Sequence, residues 1–274
     1  MNKTIVITGA NGFIGRYLIE FFNNKGYHVV ALIHRAYKIA IPGVDYRQFD
    51  LDSFAGDVIT EDTEAILHAA YIPYKKGNNS DMRNLKGTKR LLDIARRKKV
   101  RKFIYLSSFS ATEDALSHYG KNKYKIEKLF DENTDLIIRP GLVVGNGGLY
   151  KNIKSIIIKS SMIPLIGGGR QPVQTIEIYT LAQAIQGGIE KDISGFHNVA
   201  KEKPIYIKDL YKLIAEEQNK RVKFIPLPYF LATLLIYLME IIMKQPPVTI
   251  ENLNGLKQMK GRDVTDTKTF FNPS

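Results

Sequence analysis

The run TIVITGANGFIG, Thr4 to Gly15, constrains this chain more than any other stretch. Thr4 to Thr8 read as a buried strand and the amphipathic residues from Phe13 onward as a helix, which leaves Gly9, Gly12 and Gly15 in the turn between them at three-residue spacing. Glycines there permit a tight turn, let backbone amides approach a pyrophosphate and let the helix pack close to the strand. The helix N-terminus adds a preference for negative charge. The reading is a dinucleotide site on the first unit of a parallel sheet, with Gly9, Asn11, Gly12, Phe13, Ile14 and Gly15 as candidate cofactor-binding residues.

The chain has 274 residues, 44% of them hydrophobic and 24% charged, which excludes a disordered or fibrous class. β-Branched runs alternate with stretches of helical period, the pattern of a doubly wound parallel α/β sheet. Strands are expected at Thr4–Thr8, His28–His34, Asp45–Phe49, Ala65–Ala70, Lys102–Ser107 and Asp135–Arg139, and helices near 13–25, 81–98 and 118–132. Residues 141–175, rich in Gly, read as loops around one helix. A helix near 180–190, a strand at His197–Ala200 and a helix near 207–218 follow. Residues 1–145 thus form a nucleotide-binding domain to which 171–200 returns, and 146–274 mostly form a small C-terminal substrate lobe.

Cysteine is absent, which removes disulfides, thiol nucleophiles and Cys-based zinc sites, and the five His show no ligand spacing, so no metal is expected. The start enters a strand with no cleavable apolar run, a cytoplasmic reading. The net charge of +13 is spread along the chain, its one dense run being Arg96, Arg97, Lys98, Lys99, Arg101 and Lys102. That run ends a helix, where cations complement the dipole; attraction to anionic substrates or lipid is the other reading, and nucleic-acid binding has no motif behind it.

Beyond the glycine loop, the sequence resembles the extended, epimerase/dehydratase-like branch of the short-chain dehydrogenase/reductase superfamily. The resemblance rests on TGANGFIG, Asp50-Leu51, the HxAA run His68-Ala69-Ala70, the NxxGT run around Asn84, Gly87 and Thr88, the strand FIYLSS, the YxxxK run YGKNK and RPGLVVG, all in family order. It implies a Rossmann fold, a nicotinamide cofactor and a Ser/Tyr/Lys active site. Asp50 and Leu51 would bracket the adenine, while Ala69, Ala70 and Pro140 would line the cofactor. Asn84 would bind a water or backbone group in a proton relay or make a plain helix-to-strand hydrogen bond.

Four YxxxK pairs occur against about 1.5 expected by chance, so the pattern alone decides little. Only Tyr119/Lys123 follows a serine-bearing strand end, and i,i+4 spacing puts phenol and ammonium on one helical face. Tyr119 is the candidate proton donor; Lys123 and an oxidised nicotinamide would lower its pKa from about 10 towards neutrality. By the resemblance Ser108 is the third catalytic residue, holding the substrate carbonyl, with Ser110 as its alternative. His118 and Arg170 are further candidates for substrate contact. The resembled dehydratases carry an Asp-Glu pair after this serine, where Phe109 and Ser110 stand, so dehydration is not expected.

The second strand ends in His34-Arg35, with no acid from Val29 to Pro42. An NAD enzyme usually places an acid there for the ribose 2′-hydroxyl, whereas Arg accommodates a 2′-phosphate. Arg35 therefore favours NADP(H), with NAD(H) still open and a solvated surface cation as the alternative.

The expected function is reduction or oxidation of a keto sugar carried by a nucleotide or lipid diphosphate. A 4-epimerase retaining NAD, a reductase of a steroid-like or isoprenoid carbonyl, and a non-catalytic nucleotide-binding protein are the rivals. The family's Arg and Asp contacts to a nucleotide-sugar fall on Val173 and Thr180 here, which weakens a simple UDP-sugar reading.

Residues Tyr229 to Met243 form the most apolar segment, at roughly 22 Å too short to span a bilayer. Leu231, Leu234, Leu235, Leu238 and Ile242 make one helical stripe, which Phe230, Ile236, Tyr237, Ile241 and Met243 widen nearly all round. Such a helix is expected to be buried on most sides within the lobe. The alternative exposes part of it to a membrane or a homodimer partner.

Overall fold

The computed structural model describes residues 3–35, 40–54, 56–75, 77–243, 246, 248–265 and 267–271. The first half alternates β1 (Thr4–Thr8), α1 (Phe13–Asn24), β2 (His28–Ile33), β3 (Val44–Gln48), β4 (Thr63–His68), α2 (Ser80–Arg97), β5 (Lys102–Leu106), α3 (His118–Glu127) and β6 (Leu136–Pro140). Then come β7 (Leu142–Val144), α4 (Gly148–Lys159), β8 (Met162–Ile166), β9 (Pro172–Val173), β10 (Thr175–Glu177), α5 (Ile178–Glu190) and β11 (Gly195–Val199). The C-terminal part adds β12 (Ile205–Tyr206), α6 (Ile207–Glu217), β13 (Lys223–Leu227), α7 (Tyr229–Ile242) and α8 (Ile250–Lys257).

Seven strands form one parallel sheet in the order β11-β6-β5-β4-β1-β2-β3. Every residue of β1 is buried, as a strand covered on both faces requires. Successive β1 side chains enter opposite cores. Ile5 and Ile7 pack with Leu18, Ile19 and Phe22 of α1, Leu181 and Ile185 of α5, and Phe270; Val6 packs with Leu91, Leu92 and Ile94 of α2. Chain order reverses between β1 and β4, and the loops at their C-terminal ends open into the crevice where such sheets bind ligands.

The glycine-rich stretch 141–175 is not a set of loops around one helix. It carries β7, β8, β9 and β10 as well as α4. β8 pairs with β13 and β9 with β12, partners some 30 to 60 residues away, so no local pattern marks them. These pairs frame a separate small core of Tyr150, Ile157, Ile163, Val173, Ile207, Leu210 and Ile214.

The basic run also differs from its dipole reading. Arg96 and Arg97 do end α2, but Arg96 pairs with buried Asp135, Arg101 with Glu64 and Asp192, and buried Lys102 with Asp192. These bonds tie the N-terminal edges of β4, β5 and β6 together.

Helix α7 departs most from expectation. Only Ala232 and Ile236 are buried; Phe230 is 76% exposed, Leu234 54%, Ile241 65% and Ile242 81%. The helix rests on α8, and Tyr229 at its start reaches Gln171 of the lobe. Much of its apolar stripe faces outward: Leu231, Leu234, Leu235, Leu238 and Ile242 are all exposed. No helix among the described residues is long and apolar enough to cross a membrane.

Candidate functional site

The glycine turn is pressed against the end of β4. Gly9 has φ +68°, and a Cβ there would lie 2.7 Å from the carbonyl carbon of Ala69 and the nitrogen of Ala70. A Cβ on Gly15 would lie 2.3 Å from the Gly9 carbonyl oxygen. The Thr8 hydroxyl accepts from the Ala69 and Ala70 amides at 3.2 and 3.1 Å and bonds His68 Nδ1 at 2.8 Å, while His68 Nε2 bonds Thr88 at 2.9 Å. His68 is fully buried, and burial takes its pKa down to about 3, so it is a neutral strut joining β1, β4 and α2.

Helix α1 starts at Gly12 with no side-chain cap, which leaves first-turn amides for an anion. The Phe13 ring packs against Gly145, Gly147 and Gly148, and Ile14 against the core, so both offer only backbone to a ligand. This cradle fits a dinucleotide pyrophosphate. Asn11 fixes the end of β2, its Oδ1 accepting from His34 N at 3.0 Å and Arg35 N at 3.3 Å and its Nδ2 donating to Arg35 O at 3.0 Å. The Arg35 side chain is exposed beyond that clasp. The Asp50 carboxylate pairs with His34 Nδ1 at 2.9 Å and accepts from Asp52 N. Leu51 is buried, so close to α2 that a Cβ on Gly87 would lie 2.5 Å from its carbonyl oxygen.

Ser108, Tyr119 and Lys123 meet beyond the C-terminal end of β5. The Ser108 hydroxyl lies near enough to the Tyr119 phenol to influence its pKa, and it accepts from Ser110 N at 3.1 Å. Burial raises the pKa of Tyr119 above its ordinary value of 10, the reverse of the lowering expected from Lys123, because the phenol loses water; Ser108 opposes the rise. Lys123 is 3% exposed and donates to the Leu106 carbonyl at 2.6 Å. Its ammonium lies 4.6, 5.0 and 5.9 Å from the ring centres of Tyr105, Tyr71 and Tyr119. Burial pulls its pKa down to about 7, against the attraction of Glu127.

Beneath the triad, Glu127 of α3 is buried and accepts from Ser107 Oγ at 2.5 Å and from Arg139 Nε and Nη2 at 2.8 and 2.6 Å. This bidentate pair pins the C-terminal end of α3 to β6, and it removes Ser107 from any role with a ligand.

The other candidates fall into place around that centre. Asn84 makes the helix-to-strand type of bond: Oδ1 accepts from Ile72 N at 2.8 Å and Nδ2 donates to Ile72 O at 2.9 Å. Pro140 is buried, and its carbonyl accepts from Phe109 N. Ser110 is exposed, its carbonyl facing the Cα of Gly120. His118 stacks on Tyr74 at 3.8 Å and 4°, with Asp81 at 3.5 Å, at the mouth of the site. Arg170 is exposed on the lobe, in the turn that packs on Lys208 and Tyr229, and no described contact joins it to the triad.

Sequence reasoning missed Tyr71, Tyr105, Glu127 and Glu251. Tyr71 edges onto Tyr119 with centres 5.1 Å apart, and the hydroxyls of Tyr71 and Tyr105 are buried without a hydrogen-bond partner. Glu251 is half-buried and accepts from the amides of His118 and Tyr119. Only the i,i+4 spacing of Lys123 and Glu127 carried a local signal.

The fold is a doubly wound parallel α/β sheet, and the glycine cradle at its crevice fits a dinucleotide. Residues 5–134 match the model of the NAD dependent epimerase/dehydratase family. A mitochondrial NADH dehydrogenase [ubiquinone] 1 alpha subcomplex subunit 9 of Dictyostelium discoideum is 28% identical over 204 residues, 67% of this chain and 54% of that protein. The chain thus spans about half the length of that relative. The N-acetyl-alpha-D-glucosaminyl-diphospho-ditrans,octacis-undecaprenol 4-epimerase of Escherichia coli O157:H7 is 23% identical over 275 residues, 89% of this chain and 81% of that one. The structure of MoeE5 in complex with UDP-glucose and NAD shares the fold, with a TM-score of 0.67 at 20% identity over 82% of this chain and 85% of that one.

The buried ammonium has a measurable consequence. A Lys pKa depressed from 10.5 to about 7 costs stability in full below pH 7, and the cost fades as pH rises towards the unfolded value. Relative to Lys123→Met, the wild type should therefore gain on the order of 3–4 kcal/mol between pH 6 and pH 10. Urea midpoints at the two pH values test this; a difference that does not change with pH refutes the buried, depressed amine.

Proposed function

We propose that this chain is an NADP(H)-dependent carbonyl reductase acting on a keto sugar carried by a lipid diphosphate, at an anionic membrane surface. The observation that carries the chemistry is the buried Lys123 amine, 5.9 Å from the ring centre of Tyr119, with Ser108 beside the same phenol. The cofactor, when bound, supplies a hydride at C4 of its nicotinamide. Gly9, Asn11, Gly12, Phe13, Ile14 and Gly15 would hold its pyrophosphate, Asp50 and Leu51 its adenine, and Arg35 a 2′-phosphate. Ala69, Ala70 and Pro140 would line its nicotinamide half, Lys123 the ribose there, and Asn84 would keep the adjoining Ile72 backbone in place.

Tyr119 donates its proton to the carbonyl oxygen while Ser108 donates a hydrogen bond to the same atom. A phenol held above its ordinary pKa is protonated at neutral pH, the form a donor requires. Lys123, fixed on Leu106 O, balances the charge that develops as the proton leaves. Ser110, His118 and Arg170 are the polar groups proposed to contact the sugar and diphosphate.

Three observations support a lipid-borne substrate. Helix α7 turns Phe230, Leu234, Leu235, Leu238 and Ile241 outward, and α4 and β8 of the same lobe expose Leu149, Ile156, Ile158 and Met162. Lys151, Lys154 and Lys159 on α4 and Lys220, Arg221 and Lys223 at β13 add cations to the same lobe, and the carboxylates of Glu240 and Glu251 are turned onto backbone amides. A relative that covers 89% of this chain is by name an enzyme of a polyprenyl-diphosphate sugar. That relative is a 4-epimerase, which favours as a second reading an epimerase that retains NAD and uses the same triad.

Three measurements decide. Tyr119→Phe should lower kcat by about 10²–10⁴-fold on UDP-, dTDP- or polyprenyl-diphosphate 4-keto sugars with cofactor affinity nearly unchanged. Full turnover in this variant rejects the donor, and no turnover of any probe by the wild type favours a non-catalytic role. Arg35→Ala should weaken NADPH by about 1.5–3 kcal/mol and NADH little; equal losses, or interconversion of a polyprenyl-linked sugar without NADPH consumption, favour the epimerase. The protein should sediment with phosphatidylglycerol vesicles at low salt, and Leu235→Glu should reduce this without lowering the melting temperature. Concentration-dependent dimerisation in place of vesicle binding would make α7 a homodimer surface instead.

A further inference from the structure

The loop between Ser108 and Tyr119 has almost no apolar anchor of its own, with only Ala111 and Ala115 buried before the Ser117 cap. It is held from a segment more than 130 residues away. Glu251, in the first turn of α8, places Oε2 on His118 N at 3.0 Å and Oε1 on Tyr119 N at 2.9 Å. Gln258, just after α8, accepts from Leu116 N and donates to Asp114 O, and Arg262 donates to Phe109 O at 2.9 Å. α8 in turn is fixed by its own Thr249/Asn252 capping box and by Glu240 of α7, which accepts from Ile250 N at 2.9 Å.

The first amides of a helix have no intrahelical acceptor. In α3, Ser117 Oγ takes Gly120 N at 3.1 Å, and the two amides before it both go to the Glu251 carboxylate. One of those two amides belongs to Tyr119 itself. The other end of α3 is pinned by the Glu127–Arg139 pair and its middle by Lys123 on Leu106 O and Asn122 on Asp81 O, so Glu251 acts on what is left, the height of the first turn over Ser108.

We propose that Glu251 is a positioning residue which, by accepting both amides at the start of α3, holds the Tyr119 phenol in register with Ser108. This rests on Tyr119 being the proton donor. Misplacement of a reacting group by about 1 Å costs on the order of 100-fold in rate, so the effect belongs in turnover, not in cofactor binding. Charge-assisted bonds to backbone amides are short and directional, which suits a carboxylate to this task.

The test uses the full chain with NADPH and the 4-keto sugar probes named above, together with hydrogen exchange of the cofactor complex. Glu251→Ala should lower kcat at least ten-fold, leave KM for NADPH and the melting temperature near wild type, and speed amide exchange in peptides spanning 114–124. Glu251→Gln, which keeps one acceptor oxygen, should fall between the two. Wild-type kcat in Glu251→Ala, or unchanged exchange at 114–124, overturns the proposal. A drop in kcat matched by an equal rise in the KM for NADPH also overturns it, because that marks a general loosening of the fold. If Tyr119→Phe keeps full activity, the donor assignment fails instead. If the wild type turns over no probe, the exchange arm alone decides whether the clamp exists.

Discussion

A Cβ on Gly9 would sit 2.7 Å from the backbone of Ala69 and Ala70, closer than any real carbon sits. The missing side chain lets the ends of β1 and β4 approach at the one place where strand order reverses. Much else follows from that approach. The Thr8 hydroxyl reaches the Ala69 and Ala70 amides, His68 bridges Thr8 to Thr88, and α2 is drawn in until Gly87 meets Leu51. The hydrogen bonds among these contacts are buried or partly buried, so a slip of the glycine turn would leave several hydrogen-bonding groups unpaired at once, at about 1–3 kcal/mol each.

The site beside the crevice is built on a buried cation. Lys123 gives up water for one carbonyl and three aromatic rings, an exchange that depresses its pKa and is tolerated because Glu127 lies one helical turn away. Glu127 is itself paired with Arg139 and Ser107. The row from Arg139 through Glu127 to Lys123 thus carries charge from β6 along α3 to the phenol. Removing one member would strand the others in a region of low dielectric.

The C-terminal part has a double character. Its β-strand pairs and α6 close a small core of their own, yet its last helix sends Glu251, and the turn after it Gln258, onto the segment between Ser108 and Tyr119, while α7 keeps its apolar side towards solvent. One short helical pair therefore touches both the outer surface and the start of α3, so whatever docks on α7 lies two helices from Tyr119.

Much of the nucleotide-binding half was legible from residue order alone. Glycine spacing after a buried strand, β-branched runs and the Tyr119/Lys123 spacing are local signals that set most of these strands and helices to within a residue or two; α3 is the exception, expected to run to 132 and ending at Glu127. Strands β7 to β10 were not legible, because pairs such as β8 with β13 exist only once distant segments meet. The same holds for the polar bonds. Nothing around Glu251 in the sequence points to Tyr119, nothing around Asn84 points to Ile72, and only the folded chain brings the Tyr71 and Tyr105 rings onto Lys123. The composition of α7 made it apolar nearly all round, and periodicity suggested burial; tertiary structure decided otherwise, because burial depends on how much apolar surface its neighbours have left to offer.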